Sequence, residues 1–218
     1  RGLFLHDDTL TANRKWISEF CAMLENEKLD LLWGCNTRAN TIDEDMMRMM
    51  QRTGLRVLHI GAESGSQRIL DEVYKKGIKL DDVRRTVDTA KRIGLKTMCF
   101  FMIGAPTETE ADIKETIKFA CSLNTNEITA SITTPLPNTH LYNMMKDKYK
   151  ISDNYSDFDY YSNRAFEDPN MPFETLKKYQ KKLLFKFYTN HKRWPYIYNH
   201  ITSVTGFKKM VAKVKRFS

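Results

Sequence analysis

Residues 98–109 read MCFFMIGAPTET, a continuous apolar run that closes on Gly104 and Pro106 and gives way to an acidic turn. A strand with one wet face alternates polar and apolar residues. This run does not, so it reads as a buried parallel strand covered by helices on both faces. The small residues at its carboxyl end expose main chain, as a flat ligand lying against the backbone requires. Thr107-Glu-Thr-Glu110 then has the spacing of a capping box opening a helix to residue 123.

The same unit recurs on either side. Strands are predicted over residues 3–6, 29–35, 56–60, 95–103 and 128–133, each followed by a polar loop and, in all but the last case, a helical pattern. Thr11 is the expected cap of the first helix, whose inward face would be Trp16, Phe20, Met23 and Leu24. Thr41-Ile-Asp-Glu44 has capping-box spacing, Met46, Met47 and Met50 fill the core side of that helix, and Gly54 ends it. Asp81 or Asp82 opens a third helix that stops at Gly94. Strand, loop and helix in steady alternation specify an α/β fold, either a (β/α) barrel or a doubly wound sheet. No Gly-x-Gly-x-x-Gly follows the first strand, which argues against a dinucleotide-binding sheet. In a barrel the strand-end loops gather Asp7, Asp8, Arg38, Glu63, Ser64, Glu108 and Thr139 on one rim, where such barrels build their active sites.

The pattern changes beyond residue 150, so the expected division is a partial barrel over residues 1–150 and a loop with a basic helical cap over 151–218. Residues 153–171 are polar and aromatic without a period and read as an ordered loop or lid. Pro172 opens a helix over 173–190, and residues 207–217 place Phe207, Met210, Val211, Val214 and Phe217 opposite a lysine-rich side. Residues 1–170 carry 23 Lys and Arg against 26 Asp and Glu, whereas residues 171–218 carry 12 against the single Glu174. A tail of that sign suits an acidic partner such as nucleic acid, a membrane surface or an acidic domain, although a solvated helical face is the commoner outcome. With 10 Lys to 2 Arg and no interleaved glycines, the tail does not favour nucleic acid. No apolar run reaches membrane-span length and no signal-peptide pattern is present, so a cytoplasmic location is expected. Cys21, Cys35, Cys99 and Cys121 are scattered and form neither a disulfide framework nor a metal box.

The candidate site chemistry follows from residue type. Successive strand residues point to opposite faces, so only one of Asp7 and Asp8 can enter the barrel mouth. Arg38 can grip a carboxylate bidentately, Glu63 can accept from an ammonium or a hydroxyl, and Ser64 can donate or accept. Five motifs in order extend this reading: Phe4 with Asp7-Asp8, Cys35-Asn-Thr-Arg38, Gly61-Ala-Glu63-Ser64-Gly65, Ile103-Gly104-Ala-Pro106-Thr-Glu108-Thr109 and Pro135-Leu-Pro137-Asn-Thr139. Together, over residues 3–142, they resemble the radical S-adenosylmethionine (SAM) superfamily, and most closely the subgroup whose members often carry a cobalamin-binding domain ahead of the barrel.

The resemblance implies a partial (β/α) barrel of the radical SAM type with about five βα units, its first strand missing and a mostly helical C-terminal extension. It implies SAM and a 4Fe-4S cluster as cofactors, with cobalamin as a further candidate, and reductive cleavage of SAM to a 5'-deoxyadenosyl radical for methyl transfer or oxidative rearrangement of a small-molecule substrate. Flavodoxin or ferredoxin would be the electron donor. Glu63 and Ser64 would contact the SAM amino acid or ribose, Arg38 its carboxylate, and Gly104 with Pro106 its adenine, with Asp7, Asp8 and Glu108 on the same rim. The resemblance assigns neither a catalytic residue nor a metal ligand in this chain. The family's Cys-x-x-x-Cys-x-x-Cys is not found here, so the cluster ligands are expected upstream of residue 1 and the 218 residues alone are expected to be inactive. Asn138 stands where the family usually has Gly, which calls for a left-handed Asn. Two other readings stand beside this one: a non-catalytic module that binds nucleic acid or another partner through the basic tail, and a barrel aldolase or hydrolase using Asp7 or Asp8 with Glu63.

Overall fold

The computed structural model describes residues 2–159, 165–194 and 198. Five strands, β1 (Gly2–Leu5), β2 (Leu32–Thr37), β3 (Leu55–Glu63), β4 (Lys96–Ile103) and β5 (Glu127–Ile132), form one sheet in chain order. Every pairing is parallel. Parallel neighbours need a crossover, and these are supplied by α1 (Arg14–Asn26), α2 (Glu44–Arg52), α3 (Leu80–Arg92) and α4 (Glu110–Ser122). The short α5 (His140–Met145) follows β5, and α6 (Phe173–Thr189) packs against β5 and α4. The result is an α/β half-barrel.

The two faces of the sheet differ. On β3 and β4 the residues facing the helices, Leu58, Ile60, Ala62, Cys99, Phe101 and Ile103, are fully buried, whereas His59, Gly61, Met98 and Phe100 on the concave face are half-buried. The apolar run of β4 is therefore covered on one side only. It is unbroken because its second side lines a curved interior, where neighbouring strands shade one another.

Helix starts follow the side chain best placed to accept, and this moves several expected caps. Asn13, not Thr11, caps α1 by accepting from Trp16 N–H at 3.1 Å. Thr11 lies in the preceding turn with its hydroxyl 2.6 Å from those of both Thr37 and Thr41. Asp43 caps α2, and Glu44 pairs with Arg48 and Arg92 instead of closing a box with Thr41. At α4 the box is Thr109 with Asp112, two residues later than expected. Gly54 ends α2 at φ +101°, and Asn138 takes φ +66°, the left-handed value its position demands. On α1, Ile17 and Cys21 are buried in the core and Phe20 and Leu24 pack against it as expected, whereas Trp16 and Met23 are 46% and 66% exposed. Residues 207–217 lie outside the described residues.

The opposite edge is covered. Gln180 of α6, itself buried, donates to the Ala130 carbonyl at 2.8 Å, and the Tyr188 hydroxyl bridges the Ile128 N–H and C=O at 3.3 and 3.1 Å. Side chains of α6 thus satisfy backbone groups of the last strand, as an edge strand requires.

The helix-facing packing is tightest where the loop after β3 meets α4. A Cβ on Gly65 would lie 2.5 Å from Thr116 Cα and 2.7 Å from Phe119 Cβ, so only glycine lets this loop touch the helix. Gly65→Ala is expected to destabilise the protein by roughly 2–3 kcal/mol through overpacking. Gly77→Ala, strained at φ +63° but with nothing within 4 Å, should cost only about 1 kcal/mol. Urea unfolding of the two variants checks the order.

Candidate functional site

All five strands end on the same side, and the loops that leave them form the mouth of the half-barrel. Glu63 is the last residue of β3 and adopts φ +60°, a left-handed turn that sends the chain out of the sheet. Its carboxylate meets Lys76 Nζ at 2.6 Å, with both side chains mostly buried. The pair sits directly above Gly61, where a Cβ would come within 2.5 Å of Glu63 Oε1 and 3.1 Å of Lys76 Nζ. Arg38, at the end of β2, donates from Nη2 to the Lys76 carbonyl, and Asn40 donates to the Gly77 carbonyl at 2.9 Å. Two loops are thereby laced together across the mouth. The Arg38 Nε is buried without a partner.

Lys76 arrives by way of a π-helical turn, Ile69–Val73, followed by Lys75 at φ +45° and Gly77 at φ +63°. Just before it, the Tyr74 hydroxyl lies 2.8 Å from Thr133 Oγ1 at the end of β5. Burial pushes the Tyr74 phenol well above its ordinary range, and the Glu108 and Glu63 carboxylates push it the same way. Tyr74 is thus the neutral group between the two acids. Lys76 and Tyr74 were not among the sequence candidates. The only available signal was a Lys-Lys-Gly turn closing the segment that follows the Glu63 loop.

The other candidates occupy different positions. Ser64 is fully buried with its hydroxyl 3.1 Å from Thr116 Oγ1, turned toward α4 and away from the mouth. Gly104 takes φ +83° with the side chain of Leu176 2.7 Å from where a Cβ would be, so α6 covers it on that side. Pro106 is buried in the same loop. Glu108 turns back into this loop and accepts from the Gly104 and Ala105 N–H groups. Asp7 and Asp8 are exposed; Asp7 accepts from Thr9 N–H at 2.9 Å and its carbonyl accepts from Asn36. The structure brings Arg38 and Glu63 together through Lys76, while Glu108 is bonded within its own loop. Asp7, Asp8 and the Ser64 hydroxyl stand outside that group.

Below the mouth the concave face carries a row of rings, with Phe4 4.4 Å and Phe100 5.3 Å from His59 between centroids. Burial lowers the pKa of His59, and His6 acts in the same direction against the opposing pull of Glu127. A cleft of about 710 Å³ lies elsewhere, on the helical side, lined by Arg14, Thr41, Arg85, Thr86 and Arg92. Its three arginines are matched by Asp43, Asp82 and Glu44, which leaves no uncompensated charge for a ligand.

Two carboxylates near the mouth are perturbed in opposite directions. Burial raises Glu108 to about 7 against the pull of its two backbone donors, and its Oε1 is buried without a partner. At Asp112 burial also acts upward, but hydrogen bonds from Arg68 (2.6 Å), Thr109 and Ser66 (2.7 Å) outweigh it and hold the carboxyl well below its usual range. A buried acid whose pKa is raised on folding favours the native state at low pH and loses that contribution as pH rises through the native value. Replacing Glu108 by Gln removes this dependence. The stability of Glu108→Gln relative to wild type should therefore grow between about pH 4.5 and about pH 7 and level off above it, as followed by thermal unfolding across that range.

A family model described as the radical SAM superfamily matches residues 1–120. The chain is 36% identical over 148 residues to an uncharacterized methyltransferase of Pyrococcus horikoshii, a match covering 68% of this chain and 31% of that protein. It is 30% identical over 196 residues to the anaerobic magnesium-protoporphyrin IX monomethyl ester cyclase of Rubrivivax gelatinosus, covering 88% of this chain and 34% of the cyclase. The chain thus spans about a third of the length of these relatives. Among solved structures, coproporphyrinogen III oxidase from Escherichia coli, described as a radical SAM enzyme, superposes with a TM-score of 0.62 at 17% identity, covering 85% of this chain and 41% of that one. The radical SAM methyltransferase TsrM from Kitasatospora setae, with cobalamin and a [4Fe-4S] cluster bound, gives a TM-score of 0.55 at 15% identity, covering 65% of this chain and 29% of that one.

Proposed function

The chain belongs to the radical SAM superfamily, and from that premise we propose that it is the SAM-binding part of an enzyme that transfers a methyl group to a small-molecule substrate or rearranges it oxidatively. When bound beside a reduced 4Fe-4S cluster, SAM supplies the family's chemistry, a 5'-deoxyadenosyl radical that abstracts hydrogen from the substrate.

The observation that carries the reading is the Glu63–Lys76 pair beside Arg38. An amino-acid ligand brings an ammonium and a carboxylate, the same two charges that Lys76 and Glu63 now offer each other. A ligand that swaps into the pair gives Glu63 its ammonium or ribose hydroxyls and gives Lys76 and the unpartnered Arg38 Nε a carboxylate. Gly61 makes space for the pair itself, and the Gly104–Pro106 loop, held by Glu108, is the surface proposed for the adenine. Ser64 acts one step back, since its hydroxyl accepts from Ser66 N–H and holds the turn that aims Glu63. These residues fit SAM.

They do not fit the cluster. Among the described residues no group of three His, Cys, Asp or Glu side chains is placed to hold a metal ion. Cys35 and Cys99 are buried, and burial pushes their thiols up to about 12, far from the thiolate form a metal needs. The described residues therefore supply no ligand set for the cluster. Among the described residues no strand pairs with the outer edge of β1, and an edge of this kind is what a neighbouring βα unit covers. Cobalamin belongs to the same proposal, supported by its presence in the structural neighbour TsrM, as does a flavodoxin-like or ferredoxin-like electron donor, supported by the family's need for a reductant.

Calorimetric titration of the full-length protein with SAM tests the site. Glu63→Gln, Lys76→Ala and Arg38→Ala should each weaken binding by roughly ten- to a hundredfold, the cost of one charge-assisted hydrogen bond. Unchanged affinity in all three variants would place SAM elsewhere.

A further inference from the structure

The outer face of α6 is strongly basic and carries an exposed aromatic ring. Leu176, Gln180, Leu183, Leu184 and Phe187 form its buried stripe. Opposite them Lys178, Lys181, Lys182, Phe185 and Thr189 recur at spacings of three and four, all exposed, with Lys186 alongside and Lys192 in the turn that follows. Phe185 stands 69% exposed in the middle of these lysines, and Trp194 is 65% exposed just past the helix end. Glu174 is the only acid on the helix. On the adjoining α4, Glu110 is already held by Tyr179 at 2.6 Å and Lys114 at 3.2 Å. Among the described residues no ion pair engages Lys178, Lys181, Lys186 or Lys192, and Lys182 lies over the Tyr179 ring.

We propose that this face docks on an anionic membrane surface, with the lysines at the headgroup phosphates and carboxylates and Phe185 and Trp194 entering the boundary region. Five lysines on flexible stems around an outward phenylalanine suit a fluid negative surface, where each charge finds its own partner. A fixed anionic site would favour arginine forks instead, and this face has none, since Arg193 is buried and donates to the Leu123 carbonyl. A nucleic-acid strand needs a groove to track, whereas this face is a convex helix. Tryptophan at the end of such a helix has an apolar body and a polar N–H, the combination that settles at headgroup level. The helix lies on the membrane and does not enter it: none of the described helices is long and apolar enough to cross. The proposal stands apart from the SAM reading, because the Glu63–Lys76 pair takes no part in it.

Flotation of the full-length protein with phosphatidylcholine vesicles, and with vesicles in which phosphatidylserine replaces part of the lipid, tests it. Binding is expected to the anionic vesicles only and to weaken with salt. The Lys181→Gln/Lys182→Gln double variant should bind at least roughly tenfold more weakly, given about fivefold per surface lysine, while Lys181→Arg/Lys182→Arg should bind as wild type does. Phe185→Ser with Trp194→Ser should remove the fraction that survives salt. Circular dichroism of these exposed-site variants confirms that they fold. Equal binding to neutral vesicles, or a double Gln variant that floats like wild type, overturns the proposal. So does salt-sensitive affinity for single-stranded RNA or for polyglutamate without flotation on anionic vesicles, which would assign the face to nucleic acid or to an acidic protein.

Discussion

The structure depends on parallel pairing of the central strand β3 with β2 on one side and β4 on the other. Parallel hydrogen bonding forbids tight hairpins, so each strand must return through a helix on one face, and right-handed crossovers put every carboxyl end at the same rim. That constraint alone carries Arg38, Glu63 and Glu108, widely separated in sequence, to one end of the sheet. It also leaves the other face free of crossovers, and this is why the concave residues are half-buried while their neighbours toward the helices are sealed.

The order of elements was legible because it rests on period and punctuation. Apolar runs closed by Gly54, Gly94 and the Gly104–Pro106 turn mark where each strand or helix stops, and the glycines at positions 54, 94 and 104 all adopt positive φ. Which side chain does the capping was less legible, because several acceptors compete within one turn. Thr41 has capping-box spacing, yet its hydroxyl is drawn to Thr11, thirty residues away, and Asp43 takes the helix start. The inward face of α1 was half legible. Phe20 and Leu24 pack against the core as expected, but Trp16 and Met23, equally large and apolar, do not, because helical spacing alone does not say how far round the helix the packed face extends.

The candidate site was half legible. Strand-end position places Arg38 and Glu63 correctly at the rim, because that follows from topology. It cannot distinguish a side chain that faces the mouth from one that turns back into its own loop, as Glu108 does, or onto a helix, as Ser64 does. Lys76 escaped because nothing local marks it. It matters through a contact across thirteen residues with Glu63 and a backbone contact across thirty-eight with Arg38. A mostly buried ion pair of this kind is poor evidence for stability, since desolvation offsets most of the attraction. That leaves its charges available to the ligand role proposed for it.

Glu108 and Asp112, four residues apart, show how such readiness is partitioned around the mouth. Asp112 has donors on both oxygens, from Ser66, Arg68 and Thr109, and these fix the loop after β3 to the start of α4. Glu108 offers one oxygen to two N–H groups and leaves the other buried without a partner. Burial pushes both acids up; it prevails at the more deeply buried Glu108, whereas at Asp112 the Arg68 guanidinium and the hydroxyl donors outweigh it. The Glu63 side of the mouth is therefore held by an ionised, fully engaged carboxylate. The Gly104 side is held by one that sits close to neutrality and can exchange partners at low cost. The two loops that flank the mouth are thus fixed unequally, one by a carboxylate with both oxygens engaged and one by a carboxylate with an oxygen left unpartnered.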